Sequence, residues 1–273
     1  PLKFPRIQGG DICGIIVQVG EGVEQDRIGT RTIVRAMQNN PTSNNPLEMQ
    51  TMGSEFDGGF AQYCVAKAKE SFPINCDWSD IELASIPISY STAEGMLCRA
   101  DVEKETILIT GASGGVGSAA IQLAKIRGAT IIAQCSPDKA SFLKDLGADQ
   151  TVNRSDNLVK VLGKNSVDVV FDLVGGSSWP QLLDIIKPGG KYVTSGAIAG
   201  PIVDLDLRSL YLKDLTLYGS TVNDPFVFEN VIRYIEEGQI KPLVAQSFPL
   251  KEIHKAQKVF MEKKFIGKIV LIP

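Results

Sequence analysis

Ile107, Leu108 and Ile109 form a short unbroken apolar run, the pattern of a strand buried on both faces of a parallel sheet. A glycine-rich turn follows. Val116, Ala120, Leu123 and Ala124 then recur at the spacing of an amphipathic helix, and Gly128 ends that helix before an apolar strand resumes at residues 130–133. Two further runs, V-D-V-V-F-D-L-V-G-G (167–176) and G-G-K-Y-V-T-S-G (189–196), each end in glycine where a strand would meet a ligand crevice. Strand and helix signals alternating over short connections predict an α/β fold with a doubly wound parallel sheet.

The pattern differs on either side of this region. Residues 11–34 show short strands punctuated by glycine, which suits a small antiparallel barrel, and strand character returns in F-A-Q-Y-C-V (60–65). Between them, residues 38–53 hold so many turn formers that a surface excursion is expected. A helical passage over residues 77–99, broken by Pro87, leads into the α/β region. Beyond Asp224 two helical stretches precede a last strand, G-K-I-V-L-I-P, which could return to the N-terminal barrel. The predicted division is 1–90, 91–221 and 222–273, the last part returning to the first domain.

Composition narrows the function classes. The chain has 273 residues, 44% of them apolar, and a net charge of −3. No cluster of lysine or arginine offers a footprint for nucleic acid or an anionic membrane surface. No apolar stretch approaches the length of a bilayer, and the opening P-L-K-F-P-R lacks the core of a secretory signal, which favours the cytoplasm. Five cysteines without a C-x-x-C pair read as reduced core residues. The single histidine, His254, falls among charges on the exposed start of a helix, so histidine-based metal or triad chemistry is not expected.

The turn A-S-G-G-V-G (112–117) carries the candidate chemistry. Gly114, Gly115 and Gly117 leave no side chain between backbone and a bound phosphate, and the helix starting near Val116 directs its unpaired amides and positive dipole end at that anion. Strand, turn and helix in this order suit a dinucleotide pyrophosphate.

The chain resembles the medium-chain dehydrogenase/reductase superfamily over nearly its whole length. Q-G-G-D-I-C-G-I-I-V-Q-V-G-E-G-V, I-G-T-R-T-I-V, D-G-G-F-A-Q-Y, S-T-A, A-S-G-G-V-G, D-K-A-S-F-L-K-D-L-G-A-D, K-P-G-G-K-Y-V and F-I-G-K-I-V-L-I-P occur in the family's order. The resemblance implies a Rossmann sheet plus a GroES-like barrel that starts part-way, because the family carries further strands before the block at Pro5. Where the zinc branch reads Gly-His-Glu this chain reads Gly9-Gly10-Asp11, and where that branch supplies a later cysteine it has Ile88; no cysteine stands at 35–57 for a structural zinc. The metal-free quinone oxidoreductase-like branch is therefore implied, with no metal ligand.

That branch implies hydride transfer from NADP(H) to a quinone or an α,β-unsaturated carbonyl. Its cofactor contacts map onto Thr92, Ser113, Gly114, Gly115, Val116, Gly117, Val174, Gly175, Gly196 and Thr221, with Tyr90 either lining the substrate side or simply packing. The second strand ends Gln134-Cys135-Ser136 without the acid that would hold a ribose 2′-hydroxyl. Ser136, Lys139 and Arg154 fall where the branch meets a 2′-phosphate, though Lys139 and Arg154 also suit a solvated surface. Asp138 reads as the first-turn acid of the next helix, pointing elsewhere. The resemblance assigns no proton donor, so catalytic residues stay unnamed. It implies a homodimer through the edge strand near 214–221 and leaves two alternatives open: a zinc-type alcohol dehydrogenase, or a cofactor-binding structural relative without activity.

Overall fold

The computed structural model describes residues 3–39, 44, 45, 48–221 and 223–273. They fall into two compact units, Thr92–Thr221 and the pair of segments Pro1–Ser91 and Val222–Pro273.

The contiguous unit is built on six strands: β1 (Thr106–Ile109), β2 (Thr130–Cys135), β3 (Gln150–Asn153), β4 (Val167–Asp172), β5 (Ile186–Thr194) and β6 (Thr216–Gly219). All pair in parallel, in the order β6-β5-β4-β1-β2-β3. Helices α1 (Gly115–Ile126), α2 (Ala140–Leu146), α3 (Leu158–Leu162), α4 (Trp179–Ile185) and α5 (Leu207–Tyr211) fill the five connections. The central strands β1, β2 and β4 are buried along most of their length, which is why they read as apolar runs rather than as alternation. Leu108, Ile132, Val170 and Tyr192 pack with Trp179, Leu182 and Ile185 on one side. Ile107 and Ile109 are fully buried, as are Ala119, Ala120 and Leu123 of α1, and α1 lies on β1 and β2. The small residues let that helix approach closely. Its end is set by Gly128, whose φ of +83° only glycine adopts freely.

The chain order reverses between β1 and β4, so the loops leaving their carboxyl ends diverge. In open α/β sheets that divergence makes the ligand crevice.

The other unit contains an antiparallel sheet of Cys13–Ile15, Arg31–Val34 and Ser71–Pro73, with Arg31–Val34 in the middle. Val34, Ala36 and Met52 form its small core, and Arg35 makes a buried ion pair to Glu70 at 2.7 Å. Helix Asp80–Leu83 starts on a capping box formed by Ser79 and Glu82. Pro87 then opens helix Pro87–Arg99. The final strand, Lys268–Ile272, pairs in parallel with Val244–Pro249, and Lys268 Nζ lies 2.6 Å from the Asp11 carboxylate. Among the described residues this unit's strands form three separate small sheets.

Several expectations change. Residues 38–53 are not wholly a surface excursion: Met37–Asn39 and Met49–Thr51 pair as an antiparallel hairpin, with Gln38 opposite Gln50. Most of the turn formers stand between these two strands in sequence, where residues 40–43, 46 and 47 lie outside the described residues. Residues 60–65 form no strand. The amides of Gly58, Gly59 and Phe60 donate to carbonyls of residues 7–9, no ladder of the described residues extends past them, and Tyr63 and Val65 stay exposed. The cysteines are free thiols, but only Cys135 is buried and Cys64 is exposed, since the segment carrying Cys64 joins no sheet. His254 is the exposed second residue of helix Ile253–Glu262. No helix among the described residues is long and apolar enough to cross a membrane.

Candidate cofactor site

β1 ends at Ile109 and the chain turns through Gly111, whose φ is +59°. Gly114 caps α1 with no side-chain hydrogen bond, and the first helical bond runs from the Ser118 amide to the Gly114 carbonyl (2.9 Å). The amides of Gly115, Val116 and Gly117 are thus first-turn donors without an intrahelical partner, at the positive end of the helix dipole. Gly117 is required by contact. A Cβ there would lie 2.5 Å from the Gly111 carbonyl oxygen and 2.6 Å from Ala112 Cα, both backbone. Gly114 is exposed, and a Cβ on it would project away from the protein with only the Gly111 oxygen near, at 3.4 Å. This bare backbone cradle fits a diphosphate.

The other expected residues leave the sheet at the same edge. Ser136 and Lys139 follow β2, Arg154 follows β3, Val174 and Gly175 follow β4, Gly196 follows β5 and Thr221 follows β6. Cys135 is the register partner of Asn153, so Ser136 and Arg154 emerge side by side. The turn after β4 is pressed between neighbours: a Cβ on Gly196 would meet the Leu173 carbonyl oxygen at 2.8 Å, and one on Gly175 the Gly200 oxygen at 2.9 Å. A cavity of ≈ 280 Å³ opens there, bordered by Gly175, Tyr192, Thr194, Gly196 and Gly219. Ser113 is half-buried in the glycine turn. Thr92 is half-buried on helix Pro87–Arg99, and no strand end carries it. Tyr90 is 2% exposed and donates its hydroxyl to the Lys241 carbonyl at 2.6 Å, which is the packing alternative rather than an offered hydroxyl.

Asp138 does not point away. Ser136 caps no amide; its hydroxyl bonds the Asp138 carboxylate instead, and this bond first, then the charges of Lys139 and Arg154, hold that carboxyl below its usual range. A carboxylate two residues on is the stronger acceptor, so it captures the hydroxyl. The acid thus feels the charges of two residues of the expected 2′-phosphate region and bonds the third.

Sequence reasoning missed a buried acid at the crevice. Asp172, the last residue of β4, is fully buried and accepts from Thr110, Tyr192 and the amides of Val174 and Gly175. Burial first, then the bond to Asp172, pushes the Tyr192 hydroxyl far above the usual phenol range. An acid closing an otherwise apolar run was the available signal, because such a group is buried only when several donors hold it.

The family profile described as zinc-binding dehydrogenase matches residues 115–237, and that described as alcohol dehydrogenase GroES-like domain matches residues 1–76. A crystal structure from Sinorhizobium meliloti 1021, labelled an alcohol dehydrogenase, is 47% identical, with a TM-score of 0.94 over 100% of this chain and 77% of that one. The chain belongs to the medium-chain dehydrogenase/reductase superfamily. Among curated members of the superfamily, the acryloyl-coenzyme A reductase of Metallosphaera sedula is 28% identical over 99% of this chain and 84% of the relative. The 2-octenoyl-CoA carboxylase reductase CinF, solved with NADP and 2-octenoyl-CoA, is 27% identical with a TM-score of 0.88, over 97% of this chain and 68% of that one. This medium-chain dehydrogenase/reductase is an oxidoreductase that uses a nicotinamide cofactor.

The zinc named by one profile can be tested against the donors present. A Cβ on Gly10 would meet Ile88 Cδ1 at 2.6 Å and both Ala36 Cβ and the Met52 carbonyl oxygen at 3.3 Å. Apolar atoms thus occupy the space a ligating side chain at position 10 would need, and Ile88 offers no donor. Asp11, next to it, is held by Lys268 and by the Ile88 amide (2.7 Å). Among the described residues no group of three or more histidine, cysteine or acidic side chains could hold a metal. These residues do not fit a zinc ion.

Proposed function

We propose that this protein is a metal-independent, NADP(H)-dependent reductase of activated carbon–carbon double bonds, acting on α,β-unsaturated carbonyl compounds or quinones. The pairing of Gly10 with Ile88 carries the reading: neither residue offers a donor to a carbonyl-polarising cation, and an Ile88 methyl lies 2.6 Å from where a Cβ at position 10 would be. A conjugated acceptor needs no such cation, because the charge arriving at its β-carbon is delocalised onto the carbonyl oxygen. The relatives described as reducing acryloyl-CoA, or solved with 2-octenoyl-CoA, support an acceptor of this class.

When bound, the nicotinamide supplies the hydride from its C4. The chain's own part is placement. The amides of Gly115, Val116 and Gly117 hold the diphosphate; Ser113 lies in the same turn; Val174, Gly175, Gly196 and Thr221 border the nicotinamide half, with Thr92 on the preceding helix. Ser136, Lys139 and Arg154 take the 2′-phosphate, and each charge-assisted bond contributes about 1.5–3 kcal/mol. Free cysteines accord with a reducing, cytoplasmic compartment. We also assign a homodimer formed through β6. Among the described residues that strand has one neighbour in the sheet, and Leu207, Tyr211 and Leu212 just before it are exposed.

The test is NADPH oxidation against short enoyl-CoA thioesters, enals, enones and quinones, before and after dialysis with a chelator. Turnover of at least one acceptor, unchanged by chelation, is expected. Alcohol oxidation that disappears with the metal would return the protein to the zinc branch. Tight NADPH binding with no turnover across the panel would make it a cofactor-binding relative without activity.

A further inference from the structure

β1 and β4 are neighbours at the point where strand order reverses, and their last register partners are Ile109 and Phe171. Thr110 and Asp172 come next, where the two strands part. The Thr110 amide still donates to the Phe171 carbonyl (2.9 Å), and its hydroxyl then donates to Asp172 Oδ1 at 2.7 Å. The same hydroxyl accepts from the Leu173 amide (2.9 Å), while Oδ1 also accepts from the amides of Val174 and Gly175, both at 3.0 Å. Oδ2 accepts from the Tyr192 hydroxyl of β5 at 2.6 Å. The aspartate is 0% exposed, and no cation pairs with it among the described residues.

A core position needs no carboxylate, and burying one is costly unless donors converge on it. The four donors come from three segments that border the crevice: the end of β1, the turn at 173–175, and β5. That turn is conformationally special, since Gly175 has φ +67° and ψ −154°, a region open essentially to glycine. Val174 also leans on the glycine loop, where a Cβ on Gly111 would lie 3.0 Å from Val174 Cγ2. One side chain therefore fixes the spacing of both crevice lips. We propose that Asp172 is a positioning residue for the nicotinamide nucleotide: it clamps Thr110 to the 173–175 turn and so holds the cofactor-bearing loops at binding distance before the cofactor arrives. This rests on the nucleotide reading above.

The clamp predicts a specific pattern of affinities. Asp172→Asn keeps the shape and still accepts through one oxygen, but loses the charge-assisted bonds. It is expected to raise the NADPH dissociation constant about ten-fold, read by nicotinamide fluorescence, with the cofactor-free melting temperature shifted by only a few degrees. Thr110→Val removes the hydroxyl from the other lip and should weaken binding as much, whereas Thr110→Ser, which restores it, should bind within two-fold of the parent. Combining Asp172→Asn with Thr110→Val should be no worse than either alone. Parent-like NADPH affinity in Asp172→Asn, or additive losses in the double variant, overturns the role. If Asp172→Asn does not fold, Thr110→Val against Thr110→Ser decides: equal affinities overturn the clamp. Should the parent bind neither NADPH nor NADH, the nucleotide reading itself fails, a result visible before any variant is made.

Discussion

The Ser136 hydroxyl that could meet a 2′-phosphate is already donated to Asp138, and Lys139 and Arg154 act on the same carboxylate. The acid therefore competes with the ligand for every group expected to bind it. Asp138→Asn should shift preference toward NADPH over NADH by roughly five- to ten-fold in kcat/KM, less than a buried charge-assisted hydrogen bond is worth because solvent screens these exposed groups. Replacing Lys139 and Arg154 together by alanine should move the ratio the other way. Equal changes for both cofactors in either variant would remove these residues from the 2′ position. The strand-end placing of Ser136 and Arg154 was legible from sequence, because each follows directly on a readable strand. The direction of Asp138 was not, since helix-start statistics cannot weigh a hydroxyl capture that depends on where the serine rotates.

At the scale of the glycine turn and α1, the glycines divide by what surrounds them. Gly117 faces backbone on a Cβ's approach, so Gly117→Ala should destabilise the fold by about 1–3 kcal/mol in denaturant unfolding, as overpacking does. Gly114 has an ordinary negative φ of −76° and a Cβ on it would meet only the Gly111 oxygen, at 3.4 Å, so Gly114→Ala should leave stability nearly unchanged yet weaken NADPH binding by placing a methyl at the phosphate face. Destabilisation by the second, or none by the first, would contradict this division. The same elements show what a chain reveals by itself. β1, β2 and β4 were readable because strands buried on both faces need apolar runs such as those at 107–109, 131–133 and 169–171, and β5 from its glycines and the Tyr192-Val193 pair. Met37–Asn39, Met49–Thr51 and Val244–Pro249 were not, since short strands in small sheets carry polar residues such as Gln38, Gln50 and Gln246 and are fixed by their partners. Asp172 escaped for a related reason: its donors come from β1, the 173–175 turn and β5, which are distant in sequence.

For the whole molecule, the unpaired side of β6 and the exposed apolar residues preceding it give the most direct expectation. Light scattering at micromolar concentration should report twice the 29.5 kDa chain mass. Tyr211→Glu with Leu212→Glu should yield monomers that remain folded, because both side chains are 62–69% exposed within one chain. A monomeric parent would remove the β6 assignment. The two units also differ in how soon each can be completed on the ribosome. All six strands of the parallel sheet have been synthesised once residue 219 is made, whereas Lys268, the partner of Asp11, is added 257 positions after it. The strands of the nucleotide-binding half are thus complete earlier in synthesis, while the other half must wait for its closing strand before its early segments gain their last partners.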